Sequence, residues 1–238
     1  MGIFNIAGGR ELMNFLRKLI PGQMSDSLFT ASFIIISGGM QDAYTYWCRD
    51  KVFANGQTGN VVLMSANLFE GNWHNTVRYM IPLLSFMLGI YIAQSVQHRY
   101  KNMQKIHWRQ IIILFEILLL FGVGFIPETV NFAANAAVSF VCALQVQTFR
   151  KVRGHVYAST MCIGNMRSGI ETLHAYFRTR DRAVLKKAMT YFYVILLFAA
   201  GAGVGKLTAN FFGLRAIWFC CICLAVSFVI MFVKNEIT

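Results

Sequence analysis

The sequence predicts an all-α, polytopic membrane helix bundle with six full spans, two polar partial or re-entrant helices, and two inverted structural repeats. Three observations predict it. Apolar segments recur along the whole chain, with short gaps that carry most of the Lys and Arg. A polar block occurs twice, about a hundred residues apart. The basic residues sort to one side of a membrane only if the two polar segments fail to cross it.

Six runs are apolar and close to the ~20 residues needed to cross ~30 Å of hydrocarbon as helix. They are Leu28 to Trp47, Val77 to Val96, Gln110 to Ile126, Val130 to Phe149, Thr190 to Phe212 and Leu214 to Val233. Residues 1–27 precede them and are expected to form an amphipathic cytoplasmic segment. Within it Glu11 to Ile20 reads as a short helix lying on the inner surface, ended by Pro21-Gly22. Residues 28–126 then form the first membrane repeat, and residues 127–238 the second with a short tail.

Two further helical segments are polar. Phe53 to Phe69 opens Phe-Ala-Asn-Gly-Gln-Thr-Gly-Asn, and Val156 to Phe177 carries Ser159, Thr160, Asn165, Arg167, Ser168, Glu171, Thr172 and His174. If all eight segments crossed, ten Lys and Arg would lie on each side, and the positive-inside rule would be silent. If both polar segments enter and leave on one face, sixteen lie inside and four outside, with Arg167 and Lys206 left within segments. The second arrangement is expected, with both termini cytoplasmic. Three crossings per half invert the second repeat relative to the first. Non-spanning backbone at membrane depth must be buried in protein or line a watery cavity, so the two polar segments are expected to meet near the centre.

The repeated block reads Met40-Gln41-Asp42-Ala43, then Phe53-Ala54-Asn55, then Gly59-Asn60. Its copy reads Leu144-Gln145-Val146-Gln147, Tyr157-Ala158-Ser159 and Gly164-Asn165. The offset is 104 residues at the glutamine and 105 at the Gly-Asn pair. Internal repeats with polar interruptions mark the core of many transporters. Ser37-Gly38-Gly39-Met40-Gln41-Asp42-Ala43 followed by Thr58-Gly59-Asn60, with the second block, resembles the YoaK-like membrane proteins over roughly Phe29 to Val233. That resemblance implies a multi-pass protein of the bacterial cell membrane and supplies neither substrate nor mechanism. Ile163 stands in the second block where Thr58 stands in the first.

Ionisable residues within membrane segments are functional candidates by default. Asp42 follows Gly38-Gly39, where a helix can be approached closely, and its carboxylate suits a cation, a proton or a cationic substrate group; the competing reading is an anchor near Arg49 and Lys51. Arg167 and Glu171 are spaced i, i+4 and pair with each other, or else Arg167 faces Asp42 or an anionic substrate. Glu116 lies mid-helix among apolar residues, so it must face the bundle, be protonated or pair; Lys206, after Gly201-Ala-Gly-Val-Gly205, is its candidate partner, for structural pairing or for proton coupling. Gln41, Thr58, Asn60, Gln145 and Asn165 complete the substrate- or ion-binding candidates, their alternative being interhelical glue.

Several function classes are set aside. The net charge of +12 fits basic membrane flanks better than nucleic-acid binding. Cys220-x-x-Cys223 sits in an apolar run without a second pair, and Glu171-x-x-His174 has no second copy, so no metal and no cofactor is expected. No nucleophile–base pair or phosphate loop is visible, and the protein is expected not to be an enzyme. The expected function is secondary transport of a small solute or ion between the two repeats. The alternative is a non-transporting lipid-binding, assembly or channel-like module. The bilayer is the expected partner, and a homo-oligomer is compatible with the sequence.

Overall fold

The computed structural model describes residues 28–100, 108–152, 155–156 and 162–231. The expected amphipathic segment, the 101–107 part of one basic loop and residues 157–161 of the second polar block lie outside them. Among the described residues the fold is all-α, apart from one two-residue hairpin ladder. Eight helices follow in order: α1 Leu28–Cys48, α2 Gln57–Phe69, α3 Trp73–Tyr100, α4 Trp108–Val123, α5 Asn131–Thr148, α6 Cys162–Thr179, α7 Arg182–Phe212 and α8 Ile217–Met231. Each falls on a segment read as helical from the sequence. Two polar segments begin later than expected. Residues 53–56 precede α2 as irregular chain, and Val156 pairs with Lys151 in the ladder before α6. Val152 and Val156 are β-branched and suit strand pairing.

Among the described residues three stretches are long and apolar enough to cross a membrane: Trp73–Tyr100, Glu128–Thr148 and the 50-residue run Arg182–Met231. As one straight helix the last would reach about 75 Å, far beyond a bilayer. It breaks at Gly213, whose φ of 54° favours glycine, and a 3₁₀ turn over Gly213–Ala216 leads into α8. Asp181 caps the start of α7 through the Ala183 amide at 2.8 Å. Pro82 is tolerated inside α3, where it is buried against neighbouring helices.

Helix α1 is the centre of the bundle, packed on α7, α8 and α5. Helix α3 packs on α5, and α4 packs on both α5 and α8. The polar helices sit to the side, α2 on α3 and α6 on α7. They do not pack broadly on one another, so the expected central meeting of the two helices does not occur among the described residues. Small residues set the tight crossings. A Cβ on Gly39 would strike the Phe198 carbonyl, one on Gly201 the Ile36 carbonyl, and one on Gly89 would lie 2.7 Å from the Phe140 carbonyl. Backbone approach of this kind drives helix packing where lipid offers no hydrophobic contrast.

Polarity is distributed from the inside out. Leu84, Met87, Leu118, Phe211, Ile222 and Val229 are exposed, while Gln41, Arg49, Glu116 and Gln145 are completely buried. An apolar exterior around a polar interior is what a bilayer demands, because lipid replaces water as the outer solvent.

Candidate functional site

The two repeated glutamines meet the bundle core from α1 and α5, and their surroundings differ. Gln41 donates from Nε2 to Ser37 Oγ at 3.0 Å, and its Oε1 accepts from the Cys142 thiol at 3.0 Å. Ser37 in turn donates to the Cys220 carbonyl at 3.5 Å, which ties α1 to α8. Gln145 has Glu116 beside it. Neither amide atom of Gln145 and neither oxygen of Glu116 forms a hydrogen bond of ordinary geometry, although all four are buried.

Asp42 organises the irregular chain ahead of α2. Its carboxylate accepts from the Asn55 amide at 2.7 Å, and the amides of Ala54 and Gly56 bond to it as well. Asn55 also donates from Nδ2 to the Gly38 carbonyl at 3.2 Å. Gly38 lies ten residues before the end of α1, so the chain folds back along α1 before α2 begins. Asn60 clamps that turn: Oδ1 accepts from the Phe53 amide at 3.1 Å, and Nδ2 donates to the Phe53 carbonyl and to Gln57 Oε1. Gln57 donates to the Ala54 carbonyl at 2.7 Å. Thr58 is exposed on the first turn of α2. Anionic oxygen facing three amides in a tight turn is a strong local organiser.

The second block is looser. Cys162 opens α6 within electrostatic reach of Asp42. Asn165 is buried and partnered. Gly169 turns toward Phe192 and Tyr191 of α7. Arg167 and Glu171 pair with each other at 2.8 Å, with side chains 79% and 62% exposed. The structure therefore follows the i, i+4 reading and does not bring Arg167 to Asp42. Nor does it join Glu116 to Lys206, whose Nζ lies 3.7 Å from the centroid of the Trp47 ring, a cation–π contact.

One residue was missed by reasoning from the sequence, where it counted among the loop charges. Arg49 is fully buried just past α1. Its Nε donates to Tyr44 Oη at 2.8 Å and its Nη1 to Asn131 Oδ1 at 2.9 Å. Nη2 donates to the carbonyls of Ile126 at 2.8 Å and Val123 at 3.1 Å, and Nη1 also reaches that of Pro127 at 3.3 Å. Among the described residues no carboxylate pairs with it. The C-terminal end of α4 supplies the negative end of a helix dipole together with its free carbonyls, and the guanidinium satisfies both. Asn135 closes the arrangement by donating to the Arg49 carbonyl at 2.8 Å. The signal lay in Asn131 and Asn135, an i, i+4 amide pair opening an apolar helix.

Beside this cage is a cavity of about 400 Å³ lined in part by Trp47, Asp50, Lys51, Glu128 and Asn131. Asn131 donates from Nδ2 to Asp50 at 2.9 Å, so the cavity wall and the arginine cage share a residue.

Comparison with curated proteins and with solved structures returns no match. A family model does match, over residues 30–230, and the resemblance to the YoaK-like proteins is consistent with it. The chain, a helical membrane protein, belongs to the family described as protein of unknown function (DUF1275).

Proposed function

We propose that the protein is a secondary transporter or permease for a small solute, built from two inverted repeats with a site between them. One observation carries the reading. Gly201 of α7 abuts the Ile36 carbonyl of α1, and Gly89 of α3 abuts the Phe140 carbonyl of α5. Ile36 and Phe140 are 104 residues apart, the offset that separates Gln41 from Gln145. Exchanging the halves therefore carries one crossing onto the other. The same exchange carries α2 on α3 onto α6 on α7, and α1 on α8 onto α5 on α4. Two interlocked copies related in this way can rock about a shared centre.

In this reading α1, α3, α4, α5, α7 and α8 cross the bilayer of a bacterial cell, and α2 and α6 enter from opposite faces. Both termini are cytoplasmic. The irregular chain before α2 and the opening of α6 approach Asp42, which makes the Asp42–Asn60–Asn165 region the place for solute. Gln41, Thr58, Gln145, Arg167 and Glu171 stay candidates around it, Arg167 and Glu171 at the rim.

A search for solutes that raise the melting temperature of the purified protein identifies a ligand, because binding only the folded state stabilises by mass action. Uptake of that solute into proteoliposomes, lost in Asn165→Leu, supports transport. Binding without uptake sinks it. Single cysteines placed at Arg150 and at Arg182 should label from the same, cytoplasmic side; labelling from opposite sides removes the inverted repeat.

A second reading, a non-transporting membrane module, is favoured by one observation. Asn60 spends its amide bonds within its own segment, on Phe53 and Gln57. A polar residue used this way holds the turn and leaves nothing for a solute.

A further inference from the structure

Helix α5 carries a polar stripe along one face. Asn131, Asn135, Ser139, Cys142, Gln145 and Thr148 follow at steps of four or three residues, and all are buried. The first two belong to the Arg49 cage, and Cys142 donates to Gln41. The rest of the stripe is different. Ser139 Oγ, Thr148 Oγ1, both amide atoms of Gln145 and Asn135 Oδ1 are buried without a hydrogen-bond partner, as are both oxygens of Glu116 opposite Gln145 on α4. Protein groups alone leave these seven polar atoms without a hydrogen bond of ordinary geometry, on either side of Cys142 along the stripe. Such an atom is costly when left dry, whereas a water with two or more polar neighbours satisfies it.

We propose that Glu116 is a proton-carrying site, reached by a hydrated half-path that enters at the Thr148 end of α5, and that Arg49 closes the opposite end. The groups facing Glu116 fit this role. From α5 they are the Gln145 amide and the Cys142 thiol. From α8, the Cys221 thiol lies against the carbonyl of Ile117, the residue after Glu116, and Cys220 follows beside Cys142. From α3, Ala93 and Val96 pack near Ile112 and bring no charge. Asp42 acts on the same Cys142 from α1. No Lys or Arg among the described residues pairs with Glu116. A carboxyl without a counter-charge in hydrocarbon exchanges its proton far more readily than it holds a bare charge.

Thr148 lies one helical turn from Gln145, so a single water spans from the Thr148 hydroxyl to the Gln145–Glu116 pair. In the other direction the stripe runs through Ser139 and Asn135 to the buried guanidinium. A fixed positive charge there repels a hydrated proton, as it does in cation-excluding pores. In the exchange step a carboxyl proton of Glu116 passes to a water and returns from one; no other bond changes. The inference deepens the transporter reading by naming its coupling ion, and it rests on that reading for its purpose.

Infrared spectroscopy of the reconstituted protein without solute tests it. A carbonyl-stretch band of a protonated carboxyl should be present, vanish in Glu116→Gln and move in Glu116→Asp. Transfer to D₂O should shift the band faster than the buried backbone amides exchange. Thr148→Val should slow that shift about tenfold, the effect of losing one hydrogen-bonding link, while Ser139→Ala beyond the site leaves it unchanged. Absence of a Glu116-dependent band, or a band that exchanges no faster than buried amides, overturns the proton site. Equal slowing by Ser139→Ala and Thr148→Val overturns the entry from the Thr148 end. Solute uptake plays no part in this measurement, so a failed transporter reading and a failed proton site give separate results.

Discussion

Gln41 and Gln145 occupy equivalent turns of α1 and α5, and they live in opposite chemistry. Gln41 is fully engaged, held by Ser37 and Cys142. Gln145 makes no hydrogen bond of ordinary geometry and faces Glu116. The difference is traceable to their partners: at the 104-residue offset the Ser37 that accepts from Gln41 is replaced by Val141, and the Cys142 that donates to it by Gly38. Glu116 and Cys220 are also 104 residues apart, so α4 offers a carboxyl where α8 offers a thiol and a backbone carbonyl. In the proposed repeat, similar packing with different side chains separates the two tasks of such a core. One copy of the crossing holds the bundle together, and the other keeps polar atoms available.

The comparison is broken or sharpened by substitution, and the largest effect should come from the residue that joins the halves. Arg49→Ala removes a cation whose donors satisfy Tyr44, Asn131 and the end of α4. It should lower stability by about 3–5 kcal/mol, because those acceptors are left buried and unmatched. Arg49→Lys should recover only part, since an ammonium cannot reach the same fork of acceptors. Denaturant or thermal unfolding in detergent reads both.

The two small-residue crossings come next. Gly201→Leu and Gly89→Leu each drive a side chain into a facing carbonyl and should each cost roughly 1–3 kcal/mol. Similar losses in melting temperature support equivalence of the halves. A large loss in one and none in the other breaks it.

The glutamines themselves should respond unequally. Gln41→Leu strips partners from Ser37 and Cys142 and should cost about 1–3 kcal/mol. Gln145→Leu takes away the amide beside the Glu116 carboxyl and should cost less than Gln41→Leu, because Gln145 makes no hydrogen bond of ordinary geometry. Equal losses at both positions would mean that Gln145 is as firmly bonded as Gln41. The smallest effect belongs to Arg167→Ala, which opens an exposed i, i+4 pair and should leave the melting temperature unchanged.

Much of the architecture was legible before any coordinates. Apolar length located the helices. Partner choice was less legible. Periodicity reports which face of a helix is polar, and it is silent on what that face meets. Glu116 was paired with Lys206 because both are charged and buried by sequence. Lys206 instead lays its ammonium on Trp47. Arg49 was read as a loop charge because it follows the last apolar residue of α1, and only the folded chain brings the end of α4 to it. The amides of Ala54, Asn55 and Gly56 on Asp42 were hidden for a related reason, since backbone donors leave no mark in composition.

The Arg49 cage also bears on the order in which the chain is made. Apart from Tyr44, its acceptors come from the end of α4, the turn after it and the first turn of α5, more than seventy residues downstream. A nascent chain that has inserted only α1 holds this guanidinium in lipid headgroups or water, where it is content. It can be drawn inward only after synthesis has passed residue 131. The arginine thus acts as a latch that closes late, and a fragment ending before α5 would keep its first helix loosely seated.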